Sequence, residues 1–212
     1  MPKFKIIKKV VNEGPRVFLI RHGHTALNAS GDGAVDRIRG WVNVPLNDEG
    51  IQDAKNARDT LEGLVHKVNQ FYVSNLDRTE DTAKIVNQFF KAPMTETVCL
   101  RPWNLGILQG QETDKVKSRM KYYADNPDEV VEDGESFNNF KKRYISFLQR
   151  IIGEANRDNS VIVLVTHFRN VKMAQAWIEK GMPASMEVDE SVLSKQDIEP
   201  GQVCEIPIKD NK

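Results

Sequence analysis

The sequence predicts an α/β three-layer sandwich, with a mostly parallel central sheet and helices on both faces. Three observations point to it. Short β-branched or aromatic runs alternate with stretches whose apolar residues recur at helical spacing. Two of those runs, "VFLI" (17–20) and "VIVLV" (161–165), are apolar without a break, as strands covered on both faces are. The chain has 212 residues, 40% of them hydrophobic, enough for one sizeable core and not for two independent ones. A single domain over 1–212 is therefore expected, with 101–135 as a candidate lid or inserted subdomain.

The elements follow in order. Residues 17–20 form the first strand and run directly into Arg21-His22-Gly23-His24-Thr25. Asn47 is suited to cap a helix whose first turn holds Asp48 and Glu49, where the helix dipole favours acids. Ile51, Ala54, Leu61 and Leu64 or Val65 then share one face of it. A strand at 71–73 precedes a helix that opens near Asp77, carries Ala83, Val86, Phe89 and Phe90, and stops before Pro93. A third strand is expected at 97–100. Residues 112–126 read as a polar, largely exposed helix stopped by Pro127. The strongest helical signal begins at Ser136: Phe137, Phe140, Tyr144, Phe147, Leu148, Ile151 and Ile152 trace one stripe. Lys141, Lys142 and Arg143 fall between them, on what should be an exposed face. Strands at 161–165 and 203–208 complete the sheet.

Lys+Arg and Asp+Glu balance at 30 each, so no global field favours nucleic acid or an anionic membrane. Any anion site must be local. Cys99 and Cys204 each sit in an apolar run, which suggests buried reduced thiols rather than a disulfide or a metal site. The opening "MPKFKIIKKVV" lacks an apolar h-region and a small-residue cleavage site, so it is not read as a signal peptide. The longest apolar run is far too short to span a bilayer. These features predict a cytoplasmic protein with neither nucleic acid nor membrane as a partner.

In sheets of this kind the ligand lies beyond the carboxyl ends of the strands. The runs ending in Arg21-His22 and Thr166-His167 place both histidines there. A strand-end imidazole can serve as general base, metal ligand or nucleophile. The chain offers only His22, His24, His66 and His167, and His22 and His24 point to opposite sides if the strand continues, so a shared ion is disfavoured. No nucleophile elbow, Walker loop or G-x-G-x-x-G is present. A histidine nucleophile attacking phosphorus remains, with Arg21 neutralising phosphoryl oxygens through forked hydrogen bonds.

At this point five segments carry a resemblance. "LIRHGHTALN" is similar to the Arg-His-Gly-Glu-Ser/Thr-x-x-Asn signature of the histidine phosphatase superfamily, the phosphoglycerate-mutase-like enzymes. "GWVNVPLNDEGIQDAKNA", "VSNLDRTEDTAKIV", "DGESFNNFKKR" and "VLVTHFRNV" resemble later segments of that family, in the right order. The resemblance implies that His22 is transiently phosphorylated. It also implies that Arg21, Arg78 and His167, with His167 as an imidazolium, form a cationic pocket around the phosphoryl group. Asn28, Thr25, His24 and Glu135 become candidates for substrate binding. No cofactor and no metal are implied, because guanidiniums and an imidazolium supply the charge that in-line phosphoryl transfer needs.

Two departures stand out. His24 occupies the signature's usual Glu position. In "LRPWNLGILQGQ", Pro102 stands where the family carries its proton-donating Glu, and Asn104 and Gln109 are neutral. His24, Glu112 and Glu135 are the replacement donor candidates. Phe168 after His167 removes the alternative His-Asp donor pattern. Trp41 and Trp103 are read as packing residues and His66 as a surface residue; Arg37 and Arg39 could grip a second anion of the substrate or be solvated, the latter being the preferred reading. The expectation is a metal-independent phosphatase for phosphomonoesters or phosphoanhydrides, its partner a phosphorylated small molecule or phosphoprotein. A phospho-ligand binding module without turnover stays open, as does, more remotely, a phosphoglycerate mutase. Whether 101–135 or 185–201 gates the site is not legible.

Overall fold

The computed structural model describes residues 14–28, 35–193 and 198–208. The basic opening segment and residues 194–197, within the 185–201 stretch, lie outside the described residues. Five strands, β1 (Arg16–Arg21), β2 (Gln70–Ser74), β3 (Met94–Thr97), β4 (Val161–Thr166) and β5 (Val203–Ile206), form one sheet in the order β3-β2-β4-β1-β5. All neighbours are parallel except β5, which pairs antiparallel with β1. β1 and β4 lie inside the sheet, and both are apolar to either face. Phe18, Ile20, Val163 and Val165 meet α1 (Asp48–Glu62) and α2 (Asp77–Phe90). Val17, Leu19, Ile162 and Leu164 meet α4 (Phe137–Asp158) and α5 (Phe168–Glu179). Three layers result, as the unbroken apolar runs require.

Asn47 caps α1, its side-chain oxygen accepting from the Gly50 N–H at 2.8 Å. Ser136 caps α4 in the same way through Asn139 N–H at 3.1 Å. Along α4 the predicted stripe is buried apart from Ile152, which is half-buried. α3 (Thr113–Asp125) is the polar helix before Pro127 and buries only Val116. A four-residue α6 spans Glu190–Leu193. Among the described residues, no helix is long and apolar enough to cross a membrane.

The third strand differs from expectation. It ends at Thr97, and Val98–Leu100 form a 3₁₀ turn in which Thr97 Oγ1 accepts from Cys99 N–H at 3.1 Å. A side-chain cap competes with the ladder here, and Leu100 drops fully into the core. Helix α5 carries no predicted element at all. Val171, Met173, Ala174, Ala176 and Trp177 are buried on several of its sides, so no polar stripe marks its period. Cys99 and Cys204 are free, and half-buried rather than buried.

The loop leaving β1 packs unusually closely on the first turn of α1. A Cβ on Gly23 would stand 2.3 Å from Gly50 O, and one on Gly50 would stand 2.1 Å from His24 O. Both obstacles are backbone, so neither can swing aside. Gly50→Ala is therefore expected to cost on the order of 1–3 kcal/mol, as overpacking does. Urea denaturation midpoints against wild type measure it.

Candidate active site

The register of the two inner strands builds the site. Arg21 pairs with Thr166, and the His22 N–H donates to Thr166 O at 3.0 Å. The residues that follow, His22 and His167, therefore emerge side by side, with ring centroids 5.2 Å apart and an interplanar angle of 64°. Both rings are buried. His22 Nδ1–H donates to Gly23 O at 2.7 Å. A carbonyl can only accept, so this bond fixes the tautomer and leaves Nε2 with its lone pair. His167 Nε2 shares a 2.8 Å hydrogen bond with Ser74 Oγ at the end of β2, while its Nδ1 is buried without a partner.

Arg78, in the first turn of α2, is 1% exposed. Two of its N–H groups reach the carbonyls of Val42 (2.8 Å) and Gly40 (2.7 Å), and its Nε is buried without a partner. Arg21 donates to Ile198 O and lies 5.1 Å from the Phe168 ring centroid. Burial, with Arg39 nearby, lowers Arg21 to about 10 and Arg78 to about 9, which leaves both charged at pH 7. Burial first, then Arg78, holds both imidazoles well below the ordinary histidine range. His167 is therefore a neutral imidazole, not the expected imidazolium.

A cavity of about 220 Å³ opens over the two rings. Arg78, Arg39, Arg37 and Arg169 line it, together with one carboxylate, Asp36. From the 101–135 segment, Pro102, Trp103, Leu105, Thr113 and Met120 form one side. Leu105, Leu108 and Val131 of that segment belong to the same core as α4, so it is continuous with the body of the fold.

Several expected site residues are engaged elsewhere. His24 turns to Asp53, whose Oδ2 lies 2.7 Å from its Nδ1 and also accepts its backbone N–H at 2.9 Å. Glu112 pairs with Lys115 at 2.8 Å and stands 3.8 Å from Arg37. Glu135 pairs with Arg143 at 2.7 Å and accepts from the Asn104 N–H at 2.9 Å. None of these three candidate donors lines the cavity. Asn28 Oδ1 accepts from Thr25 N–H (2.8 Å) and Oγ1 (3.0 Å), so the pair braces the loop after β1 rather than facing the rings. Arg143 is not on an exposed face. It collects the carbonyls of Val98, Cys99, Arg101 and Pro102 and so holds the "LRPWN" segment. Trp103 packs on Phe137 at 5.0 Å, and Trp41 Nε1 donates to Pro102 O at 2.8 Å. His66 is exposed.

Four lining or supporting residues escaped the sequence reading. Arg39 is half-buried with Nη1 unpartnered, where solvation had been expected. Asp36 accepts from Thr113 Oγ1 at 2.6 Å. Arg169 opens α5, and Ser74 sits inside a quoted family segment. Among the described residues, no three His, Cys, Asp or Glu side chains gather so as to hold a metal ion.

Fold and site together define an α/β protein with a strand-end histidine pair set among buried guanidiniums, an arrangement suited to an anion. The model of the histidine phosphatase superfamily (branch 1) matches residues 17–202, and the chain belongs to that superfamily. Its relatives include phosphatases and mutases. It is 29% identical over 180 residues to phosphoglycerate mutase-like protein 4 of Arabidopsis thaliana, covering 82% of this chain and 74% of that one. It is 28% identical over 166 residues to a metal-independent phosphoserine phosphatase of the same plant, covering 75% of this chain and 66% of that one. Among solved structures, the alpha-ribazole phosphatase from Shigella flexneri superposes with a TM-score of 0.70 at 21% identity, over 92% of this chain and 91% of that one. At that identity the likeness is one of fold.

The two depressed imidazoles have a consequence for stability. Below about pH 6.5, the ordinary histidine value, the unfolded chain takes up protons that the native rings refuse. Stability is thus complete above that pH and is lost as pH falls, each ring contributing a slope of up to about 1.4 kcal/mol per pH unit. Urea midpoints taken from about pH 7 to pH 5 should fall for the wild type. They should fall less steeply for His22→Asn/His167→Asn.

Proposed function

We propose that the protein is a metal-independent phosphatase that hydrolyses phosphomonoesters or phosphoanhydrides through a phosphohistidine on His22. The observation that carries this reading is the His22 Nδ1–H bond to Gly23 O, which leaves a neutral Nε2 as nucleophile beside His167 and Arg78. Nε2 attacks phosphorus and the P–O bond to the leaving group breaks, its electron pair departing with that oxygen. Water then attacks phospho-His22, the P–N pair returns to Nε2, and phosphate leaves. Arg78 and Arg21 offset charge on the equatorial oxygens. A phosphoryl dianion against the unpartnered His167 Nδ1 favours protonation of that ring, giving a third donor only when substrate is bound. The substrate is a phosphorylated small molecule or phosphoprotein.

One observation favours a second reading, a phospho-ligand binding module without turnover: Pro102 lines the cavity, and none of the three candidate proton donors does. The two readings separate on trapping. Quenching with a labelled substrate at steady state should place an acid-labile phosphoryl group on His22, and His22→Ala should abolish both label and turnover. Label on another residue, or full activity of His22→Ala, rejects the first reading. Folded protein that binds vanadate but turns over no aryl phosphate establishes the second.

Arg78→Ala should reduce kcat/KM by a factor corresponding to about 2–4 kcal/mol, comparable to losing an oxyanion-hole donor. Protonating a poor leaving group is worth about 10²–10⁴-fold. With no donor among the three carboxylate and imidazole candidates at the cavity, log kcat/KM should fall steeply as leaving-group pKa rises. A flat line would mean that an acid acts there. Asp36→Asn, the substitution at the one lining carboxylate, would then be the first variant to test.

A further inference from the structure

The cavity holds more positive charge than a phosphoryl-binding site alone explains. Arg78 lines its floor beside the two neutral imidazoles, and Arg21, outside the lining, lies near enough to lower both rings. Arg39 and Arg169 line the same space from two other segments, the loop before Gly40 and the first turn of α5. Arg39 has a buried Nη1 with no partner, and Asp36, which also accepts from Thr113 Oγ1, offsets only part of the cost of its burial. Arg39 stands close enough to the floor to lower the pKa of Arg21, Arg78 and both imidazoles. Arg169 is half-buried on the cavity wall. Neither guanidinium forms an ion pair within 4.0 Å among the described residues, whereas Arg37 on the same wall stands 3.8 Å from Glu112. Like charges drawn together in a partly desolvated space are costly until a ligand supplies the counter-charge.

A second feature points the same way. The wall beside the rings presents Pro102, and the one lining carboxylate, Asp36, is tied to a threonine hydroxyl. A leaving group can be stabilised without a proton if cations face the charge it develops.

We infer that Arg39 and Arg169 form a second anion subsite that binds the leaving portion of the substrate, and that the preferred substrate is a phosphoanhydride whose leaving group is itself a phosphate. This rests on the phospho-His22 chemistry proposed above. His22 Nε2 attacks the terminal phosphorus and the bridging P–O bond breaks. The electron pair stays on the departing phosphate, where two guanidiniums offset it and no proton is required. Water then hydrolyses the P–N bond, and its proton leaves with the released phosphate.

The test compares methyl diphosphate with p-nitrophenyl phosphate, leaving groups of similar acidity that differ by a fixed negative charge. Wild type should prefer the diphosphate in kcat/KM by at least tenfold, and Arg169→Gln should cut that preference by at least tenfold. Arg169→Lys, which keeps the charge, should restore part of it. Calorimetric binding of methylenediphosphonate and methylphosphonate reads the subsite without turnover. The diphosphonate should bind at least tenfold tighter, and the gap should close in Arg169→Gln of unchanged melting temperature. Equal affinities, or a gap unaffected by Arg169→Gln and Arg39→Gln, overturn the subsite. Hydrolysis of p-nitrophenyl phosphate through His22 without a diphosphate preference overturns it while leaving the phosphatase reading intact. A binding gap in protein that turns over neither substrate upholds the subsite and rejects the phosphatase.

Discussion

Six consecutive register pairs join β1 to β4, from Arg16 and Val161 to Arg21 and Thr166, and the site hangs from the last of them. Because the strands are parallel and end level, the next residue of each is a histidine aimed at the same space. A slip of one residue would turn every β1 side chain to the opposite face, exchanging Phe18 and Ile20 for Val17 and Leu19 against α1 and α2. Both faces are apolar, so hydrophobic patterning alone pins the register weakly. The close seat of Gly23 on Gly50 and the His22 N–H bond to Thr166 O add what the pattern lacks.

The charges beyond that register oppose one another until an anion arrives. Burial, and after it Arg39, lowers the pKa of Arg21 and Arg78, and burial, and after it Arg78, keeps the imidazoles neutral. The repulsion is borne by a framework with enough buried apolar surface to hold it. It also serves the chemistry, since a nucleophilic imidazole must be unprotonated, and burial with buried guanidiniums beside it makes it so. Stability and reactivity thus pull on the same residues in opposite directions, as is common where groups are held ready for a ligand.

The layers, the strand ends and three residues at the floor of the site, His22, Arg78 and His167, were legible in the sequence because they rest on local signals. Unbroken apolar runs mark inner strands, Asn47 and Ser136 mark helix starts, and the Arg-His-Gly motif marks a strand end. The wall was not legible. Arg39 sits in a polar, glycine-rich stretch where solvation is the natural reading, and long-range contacts, among them those of Arg78 with the carbonyls of Gly40 and Val42 and of Trp41 Nε1 with Pro102 O, draw that loop over the rings. Glu135 looked available because its partner, Arg143, is eight positions away on a helix face that pattern alone assigns to solvent. Helix α5 went unread because packing on several sides erases the stripe by which amphipathic helices are found.

The antiparallel pairing of β5 with β1 carries a further consequence, for the order of assembly. β1 is made early in synthesis, yet its two neighbours in the sheet, β4 and β5, begin at Val161 and Val203. The strand that carries the histidine pair's first member therefore waits for nearly the whole described chain before either of its edges is covered. Such distant pairings close slowly, because the entropy of a long loop is lost before the contacts form. Arg21 itself is clasped between these late arrivals, its N–H donating to Gln202 O and its carbonyl accepting from Gly201 N–H. A nascent chain halted before residue 200 would hold all the histidines and all the arginines of the pocket, and still lack the edge that seats the strand leading into His22.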